Sequence, residues 1–179
     1  MLIIVGSRRE GNSWNLANMI KSELEKERII CDIIIPGNQR IHVCTGCMDC
    51  DKNGVCDFTD DMKGNIEKIR REDYIIFITP TRWNLLSGDL KIMIDRLNPM
   101  YKNRELKGKK MIAIAIGCKG KEVYSTDAAI TSLISFAENA GMDVVLRKEF
   151  NHCLNSDDIK NKSYEVDKLI SEIKTIVNS

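Results

Sequence analysis

The chain has 179 residues, with 27 Lys and Arg against 26 Asp and Glu, and a formal net charge of +1. This length suits one domain, residues 1–179, with a full hydrophobic core. The near-zero charge gives no reason to expect nucleic acid or an anionic membrane as a partner. No apolar run reaches the ~20 residues of a membrane span, and the apolar N-terminus is too short for a signal peptide. We therefore expect a cytoplasmic protein.

Four of the seven cysteines fall within a loop at 42–58 with the spacing C-x2-C-x2-C-x5-C, namely Cys44, Cys47, Cys50 and Cys56. Gaps of two residues let a loop place three thiolates around one compact inorganic centre, and the fourth thiolate completes the coordination. The spacing therefore favours a [4Fe–4S] site. Zinc is the second interpretation, because structural zinc sites more often use two separated C-x2-C pairs, and four thiols without a metal are the third. An odd number of cysteines excludes a complete set of internal disulfides, which a reducing compartment disfavours in any case.

Apolar runs alternate along the chain with segments whose apolar residues recur at helical spacing. Five strands are predicted, at 1–6, 29–35, 73–79, 111–118 and 142–150. Helices are predicted after the first loop, from Thr59 to Arg71, around Leu90–Leu97, from Ser125 or Thr126 to Gly141, and from Ser156 onward, whereas 98–110 is predicted to be a solvated loop. The alternation predicts an α/β protein, a three-layer sandwich whose parallel sheet has helices on both faces. Right-handed crossovers and an anion loop after the first strand favour the flavodoxin-like order 2-1-3-4-5.

The loop after the first strand is polar, contains glycine and directly precedes a helix. At such a junction, free backbone N–H groups and the positive end of the helix dipole attract anions. Ser7, Asn12 and Ser13 add hydroxyl and amide donors, and Arg8 or Arg9 adds charge, so a phosphate would fit. The alternative is a helix capped by Asn12 or Ser13 with two solvated arginines. The loop lacks both the GK[ST] ending of a Walker A sequence and the G-x-G-x-x-G pattern.

Two further loops follow the third and fourth strands, at the edge of a parallel α/β sheet where ligands bind. The loop after the third strand carries Pro80 and Trp83 and would line a flat aromatic ligand; the alternative is that Trp83 covers the core. The loop after the fourth strand carries Cys118, which either approaches a ligand or is a bystander thiol. The His152-Cys153 pair that follows the fifth strand has no placed partner and is interpreted as incidental.

As an ordered set, these segments resemble the iron–sulfur flavoproteins, which belong to the wider NADPH-dependent FMN reductase group of flavodoxin-like proteins. The resemblance depends on Gly6–Ser13, on the cysteine loop with Asp60-Asp61-Met62, and on Thr79-Pro80 through Ser87-Gly88 to Asp95-Arg96. It covers roughly the first hundred residues. It implies FMN, with the phosphate in the first loop and the isoalloxazine against the second and third. The implied FMN-binding residues are Ser7, Arg9, Asn12, Ser13, Thr79, Pro80, Thr81, Arg82, Trp83, Asn84, Gly117 and Cys118.

The same resemblance implies a [4Fe–4S] cluster on the four clustered cysteines. It also implies electron transfer between a ferredoxin-like or NAD(P)H donor and a small-molecule acceptor, in a homodimer or homotetramer. No catalytic residue is assigned, because the flavin carries the redox chemistry. The sequence departs from the family at Arg82, where an aromatic residue is common, and at Arg8, where a proline is common. Two alternatives stay open: a cluster-free NAD(P)H-dependent FMN or quinone reductase, and a non-catalytic redox or metal sensor.

Overall fold

Five parallel strands form one sheet in the order β2-β1-β3-β4-β5. The computed structural model describes residues 1–178, so only Ser179 falls outside it. The order confirms the flavodoxin-like topology that the sequence predicts. The strands are β1 (Leu2–Val5), β2 (Asp32–Ile34), β3 (Tyr74–Pro80), β4 (Lys110–Ile116) and β5 (Asp143–Phe150).

Helices cover both faces of the sheet, as predicted for a three-layer sandwich. They are α1 (Asn12–Lys26), α2 (Asp49–Asn53), α3 (Met62–Arg71), α4 (Gly88–Asp95), α5 (Pro99–Lys102), α6 (Asp127–Ala140) and α7 (Ser163–Val177), with short 3-10 turns at 36–38, 121–123 and 158–162. None of the helices within residues 1–178 has the length and apolar character needed to cross a membrane.

Successive side chains of the central strands point to opposite faces of the sheet and enter two separate cores. Leu2, Ile4 and Phe77 belong to the core under α3, α4 and α6, which cover one face. Ile3 and Val5 belong to the core under α1 and α7 on the other face. Because β1 has neighbours on both faces, all of its residues are buried, which explains why it reads as a continuous apolar run.

The start of α3 differs from the prediction, because the side chain of Asp60 bonds the first helical N–H. The sequence predicts a helix that begins after Thr59, but α3 begins at Met62. The carboxylate of Asp60 accepts a hydrogen bond from the Met62 N–H at 3.1 Å. Asp60, rather than Thr59, therefore satisfies one of the free N–H groups at the start of this helix.

Three other boundaries also differ. β2 contains only the last part of the predicted strand 29–35, since Ile30 precedes it with 81% of its surface exposed. The predicted solvated loop 98–110 contains the short helix α5, and it buries Met100 and Leu106 in the core. The last helix, α7, begins at Ser163 rather than at Ser156, because a 3-10 turn intervenes.

Candidate functional site

A cavity of about 120 Å³ lies at the carboxyl ends of β1, β3 and β4, the edge where the topology predicts a ligand. It brings together residues from the three predicted loops and from the segment after β5. Its wall contains two guanidinium groups and no carboxylate, so its charge favours an anion. The wall consists of Ser7, Arg9, Gly11, Asn12, Ser13, Pro80, Thr81, Arg82, Ile116, Cys118, Cys153 and Leu154.

The N-terminus of α1 faces this cavity without a side-chain cap. The first hydrogen bond of the helix runs from the Asn15 N–H to the Gly11 carbonyl, at 2.8 Å. The preceding N–H groups of the first turn therefore have no partner within the helix. Arg9 folds over the same point, since its Nε lies 3.4 Å from the position that a Cβ on Gly11 would take. The helix dipole, the free N–H groups and the guanidinium all favour negative charge at this point.

The side chain of Asn12 is held by the chain after β5 and does not cap the helix. Its amide nitrogen donates to the carbonyl oxygens of Asn155 at 2.6 Å and Cys153 at 3.4 Å. Its amide oxygen accepts from the Ile159 N–H at 2.9 Å. Both N–H groups of the amide are therefore used within the protein, and the backbone N–H of Asn12 is the group left to face an anion. The alternative of a helix capped by Asn12 or Ser13 is wrong.

A tight turn after β3 places Trp83 at the surface beside the cavity. Arg82 and Leu85 exchange both backbone hydrogen bonds, each at 2.9 Å. The two residues between them, Trp83 and Asn84, have φ angles of +52° and +62°, which is the geometry of a type I′ turn. Trp83 is 98% exposed. The alternative in which Trp83 covers the core is therefore wrong.

Three other predicted site residues lie beside the cavity rather than in its wall. The side chain of Asn84 donates to a carbonyl of the loop after β4 at 3.2 Å, so it ties the two loops together. Thr79 is fully buried, and its hydroxyl accepts from the Ser87 N–H at 3.0 Å. A Cβ on Gly117 would lie 2.3 Å from the Ser125 hydroxyl oxygen. These positions fix the loops that form the cavity.

The cavity wall also contains the thiol of Cys153, which the sequence analysis interprets as incidental. Cys153 lines the cavity together with Cys118, and its backbone N–H donates to the Gly117 carbonyl at 2.9 Å. Burial raises the pKa of Cys153 to about 11, so the group is a neutral thiol near pH 7. The available signal was its position just past the end of β5, at the ligand edge of the sheet.

The four clustered cysteines line a second, smaller cavity of about 40 Å³. Each is a free thiol, and the wall also contains Phe58, Arg96 and Asn98. α2 lies within this cysteine loop, flanked by Met48 and Gly54 in the left-handed region at φ +66° and +75°. Within residues 1–178, no set of three or more His, Cys, Asp or Glu side chains is arranged to hold a metal ion.

A buried ion pair closes the base of the cysteine loop. The two guanidinium nitrogens Nη1 and Nη2 of Arg96 donate to Asp60 at 2.7 and 3.2 Å, and the His42 N–H donates to it at 2.9 Å. Alongside, the Arg40 N–H donates to the Asp61 carboxylate at 2.7 Å. Burial opposes ionisation of Asp60, but the hydrogen bonds from Arg96 and His42 outweigh it and hold its pKa well below the usual range. The loop therefore leaves and rejoins the fold at one point.

The residue types around the second cavity are those that would ligate an iron–sulfur cluster, although the thiols are not arranged around a metal position in this structure. Four thiols face one space, the Asn98 amide donates to the Cys50 sulfur at 3.2 Å, and Arg96 brings a positive charge. A cluster is larger than the present 40 Å³, so binding requires part of the loop to move outward. Residues 43–48 are exposed and belong to no helix or strand, and movement there disturbs no core packing.

A parallel sheet in the order 2-1-3-4-5 with a cavity after its first strand defines a flavodoxin-like protein. Solved structures share this fold. A flavone reductase superposes with a TM-score of 0.74 at 17% identity, covering 96% of this chain and 59% of that one. A putative quinone reductase from Klebsiella pneumoniae gives 0.69 at 15% identity, covering 98% and 83%. At these identities the likeness concerns the fold.

The chain belongs to the NADPH-dependent FMN reductase family, whose model matches residues 1–153. The family is one of FMN-dependent oxidoreductases, the class that the sequence predicts. An iron–sulfur flavoprotein of Methanocaldococcus jannaschii is 30% identical over 115 residues, which cover 64% of this chain and 60% of that protein. Two iron–sulfur flavoproteins of Archaeoglobus fulgidus are 30% and 29% identical, over 59% and 79% of this chain and 49% and 70% of their own lengths. The chain thus spans about half to two-thirds of these relatives.

Proposed function

We propose that the chain binds FMN and passes electrons from a ferredoxin-like or NAD(P)H donor to a small-molecule acceptor. The observation that carries this proposal is the strand-end cavity. The uncapped start of α1, the hydroxyls of Ser7 and Ser13 and the guanidinium of Arg9 face one space there. A phosphate dianion is bound by this combination of free N–H groups and positive charge. FMN supplies the redox chemistry when bound, and the protein supplies position and electrostatics.

The turn after β3 supports a place for the isoalloxazine ring at the rim of the cavity. A bulky residue with φ above zero is uncommon and is held there at a cost. Trp83 has that conformation and exposes almost its whole indole to solvent, so it gains no core packing in return. A flat ring lying on the rim would give the indole a stacking partner. Arg82, in the cavity wall, supplies positive charge that favours an anionic reduced flavin.

We further propose that Cys44, Cys47, Cys50 and Cys56 hold a [4Fe–4S] cluster, which exchanges single electrons where FMN accepts two. The support is their shared cavity, the N–H donor on the Cys50 sulfur and the nearby guanidinium. Curated relatives at about 30% identity bear the name iron–sulfur flavoprotein. The chain itself does no acid–base chemistry in this scheme: its cysteine loop ligates the cluster and its strand-end loops orient the flavin.

The first experiment is a visible spectrum with iron and acid-labile sulfide analysis, on protein purified without oxygen. The expected result is flavin bands with about four iron and four sulfide per chain. Flavin bands without iron would replace this proposal by the cluster-free NAD(P)H-dependent FMN or quinone reductase. A colourless protein that takes up no added FMN would contradict both.

A second experiment tests the phosphate site with neighbouring arginines. Arg9→Ala removes a guanidinium from the cavity wall, whereas Arg8→Ala removes one that pairs with Asp89 outside it, at 2.8 Å. A hydrogen bond to a charged group contributes about 1.5–3 kcal/mol, so Arg9→Ala should raise the Kd for FMN roughly 10- to 100-fold. Arg8→Ala should change it less than threefold. Equal effects would indicate a general charge effect and no built site.

The cluster-free reductase is favoured by one observation, that no side-chain set within residues 1–178 is arranged to hold a metal ion. The sensor predicts zinc or nothing on the cysteines and no flavin, and it gives the strand-end cavity no role. Assembly as a homodimer or homotetramer stays a prediction, which light scattering after size-exclusion chromatography tests. Exposed Trp83, Leu85 and Tyr124 beside the cavity are suited to an interface.

A further inference from the structure

One buried donor in the cysteine site has no partner. Arg96 is 2% exposed, and its Nη1 and Nη2 are used by Asp60 and by the His42 carbonyl. Its Nε is the one buried side-chain nitrogen or oxygen in residues 1–178 without a hydrogen bond. Burying an unpaired N–H lowers stability, so such a group calls for an explanation in terms of function.

Arg96 stands directly beside the ligand thiols. It ends α4 and lines the same cavity as the four cysteines, and it interacts electrostatically with Cys56. Its other two nitrogens are directed at the base of the loop by Asp60, which is itself fully buried. The guanidinium plane is therefore fixed, and Nε is left without a partner in a residue that shares its cavity wall with Cys56.

Two residues further on, Asn98 already donates to a sulfur. Its amide nitrogen lies 3.2 Å from the Cys50 sulfur and 2.8 Å from a carboxylate oxygen of Asp51. The two N–H groups of the amide thus have one partner each, and the amide cannot turn away without losing both. The chain just after α4 consequently presents two N–H donors to the cysteine cavity.

We propose that Arg96 and Asn98 are positioning residues of the cysteine site, which donate N–H groups to the sulfurs of Cys56 and Cys50. The assignment rests on the proposed function, since it takes these thiolates as ligands of a cluster. Hydrogen bonds to the sulfurs are one of the factors that set the reduction potential of such a cluster. Such hydrogen bonds stabilise the reduced state of a cluster, which carries more negative charge. Arg96 and Asn98 therefore raise the reduction potential of the cluster and favour acceptance of an electron.

Two variants and their matched controls test the assignment. Arg96→Lys keeps a charge beside Asp60 but lacks the Nε donor, and Asn98→Ala removes the donor to Cys50. Arg8→Lys makes the same change in an arginine–aspartate pair at the opposite end of α4, and Asn139→Ala removes an amide that bonds only within α6. Clusters are assembled without oxygen in all four, and the cluster potential is measured by a redox titration followed by electron paramagnetic resonance.

Each test variant is expected to disfavour reduction by up to about tenfold, and tenfold is a 59 mV lower potential for a one-electron couple. The controls should keep the wild-type potential. A folded test variant that loses iron while its control retains it also supports the assignment, because its thiolates are then no longer held in place. Unchanged potentials at full iron content would overturn the inference but leave the proposed function intact.

Wild-type protein without iron would overturn the proposed cluster, and this inference with it. If Arg96→Lys does not fold, Asn98→Ala decides the question alone, since its side chain carries no charge that must be compensated. Circular dichroism and a thermal melt establish the folded state before each titration.

Discussion

Replacing Asp60 by asparagine should strongly destabilise the fold, although the two side chains have nearly the same shape. The side chain of Asp60 is fully buried and that of Arg96 is 2% exposed, so solvent does not screen the pair as it does at a surface. The variant leaves the Arg96 charge buried without its partner. Breaking a buried pair on one side costs about 3–5 kcal/mol. For a chain of this size that is a fall in Tm of roughly 6–20 °C.

Urea unfolding followed by far-ultraviolet circular dichroism measures the change, with the slope against urea expected to stay constant. Asp95→Asn is the matched control, because Asp95 pairs with Lys91 at the surface and should change the free energy of unfolding by less than ~1 kcal/mol. Arg96→Met added to Asp60→Asn should recover part of the loss, since removing both charges is far less costly than removing one. A loss below ~1 kcal/mol for Asp60→Asn would refute the reasoning.

Three further predictions concern packing and pH. Leu16→Ala, at a fully buried position on α1, should lower the free energy of unfolding by about 2–5 kcal/mol in the same urea assay. Gly117→Ala should lower the Tm, because its Cβ would lie 2.3 Å from the buried Ser125 hydroxyl oxygen. Gly117→Ala combined with Ser125→Ala should recover only part of the loss, because the Thr126 methyl carbon and the residue 125 Cβ would still lie at 3.0 and 3.1 Å. An unchanged Tm for the single variant would contradict the predicted clash. Because the pKa of Asp60 is lower in the folded chain, the unfolded chain takes up a proton at a higher pH than the folded chain does. The contribution of Asp60 to the free energy of unfolding is therefore fully present above the unfolded pKa of about 4, and it is lost as the pH falls below that value. Stability should therefore fall more steeply between pH 5 and 3 in the wild type than in Asp60→Asn, and parallel curves would refute the linkage.

The central strands could be predicted because they are buried on both faces, which leaves continuous apolar runs in the sequence. Their order followed from right-handed crossovers and the polar loop after the first strand. β2 was less predictable, since it lies at the edge of the sheet and pairs only with β1. The apolar residues before it belong partly to the end of α1, where the Ile29 N–H donates to the Leu24 carbonyl at 3.1 Å. Apolar composition alone does not separate such a helix end from a strand.

The lining of the strand-end cavity followed from topology, because the ends of parallel strands meet at one edge. The role of Asn12 did not, since its partners at Cys153, Asn155 and Ile159 are more than a hundred residues away in sequence. The ion pair of Arg96 could not be predicted from the sequence either. Its helical spacing from Met93 places it toward the buried side of α4, but only the fold shows that Asp60 lies there as its ion-pair partner.

The closed base of the cysteine loop has a consequence for how the molecule opens. The chain enters and leaves the loop at one clamped point, and Asn98 holds α2 within the loop. The exposed segment 43–48 between these two anchors can therefore fluctuate with its own, lower opening energy. Amide hydrogen exchange should then be fast along the exposed residues 43–48 and slow in β1, β3 and β4, in a single folded population. If the proposed cluster were lost by oxidation, the disorder would be confined to this short segment. Repair would then require only the segment to re-form around new metal and sulfide, while the sheet and its helices stay folded.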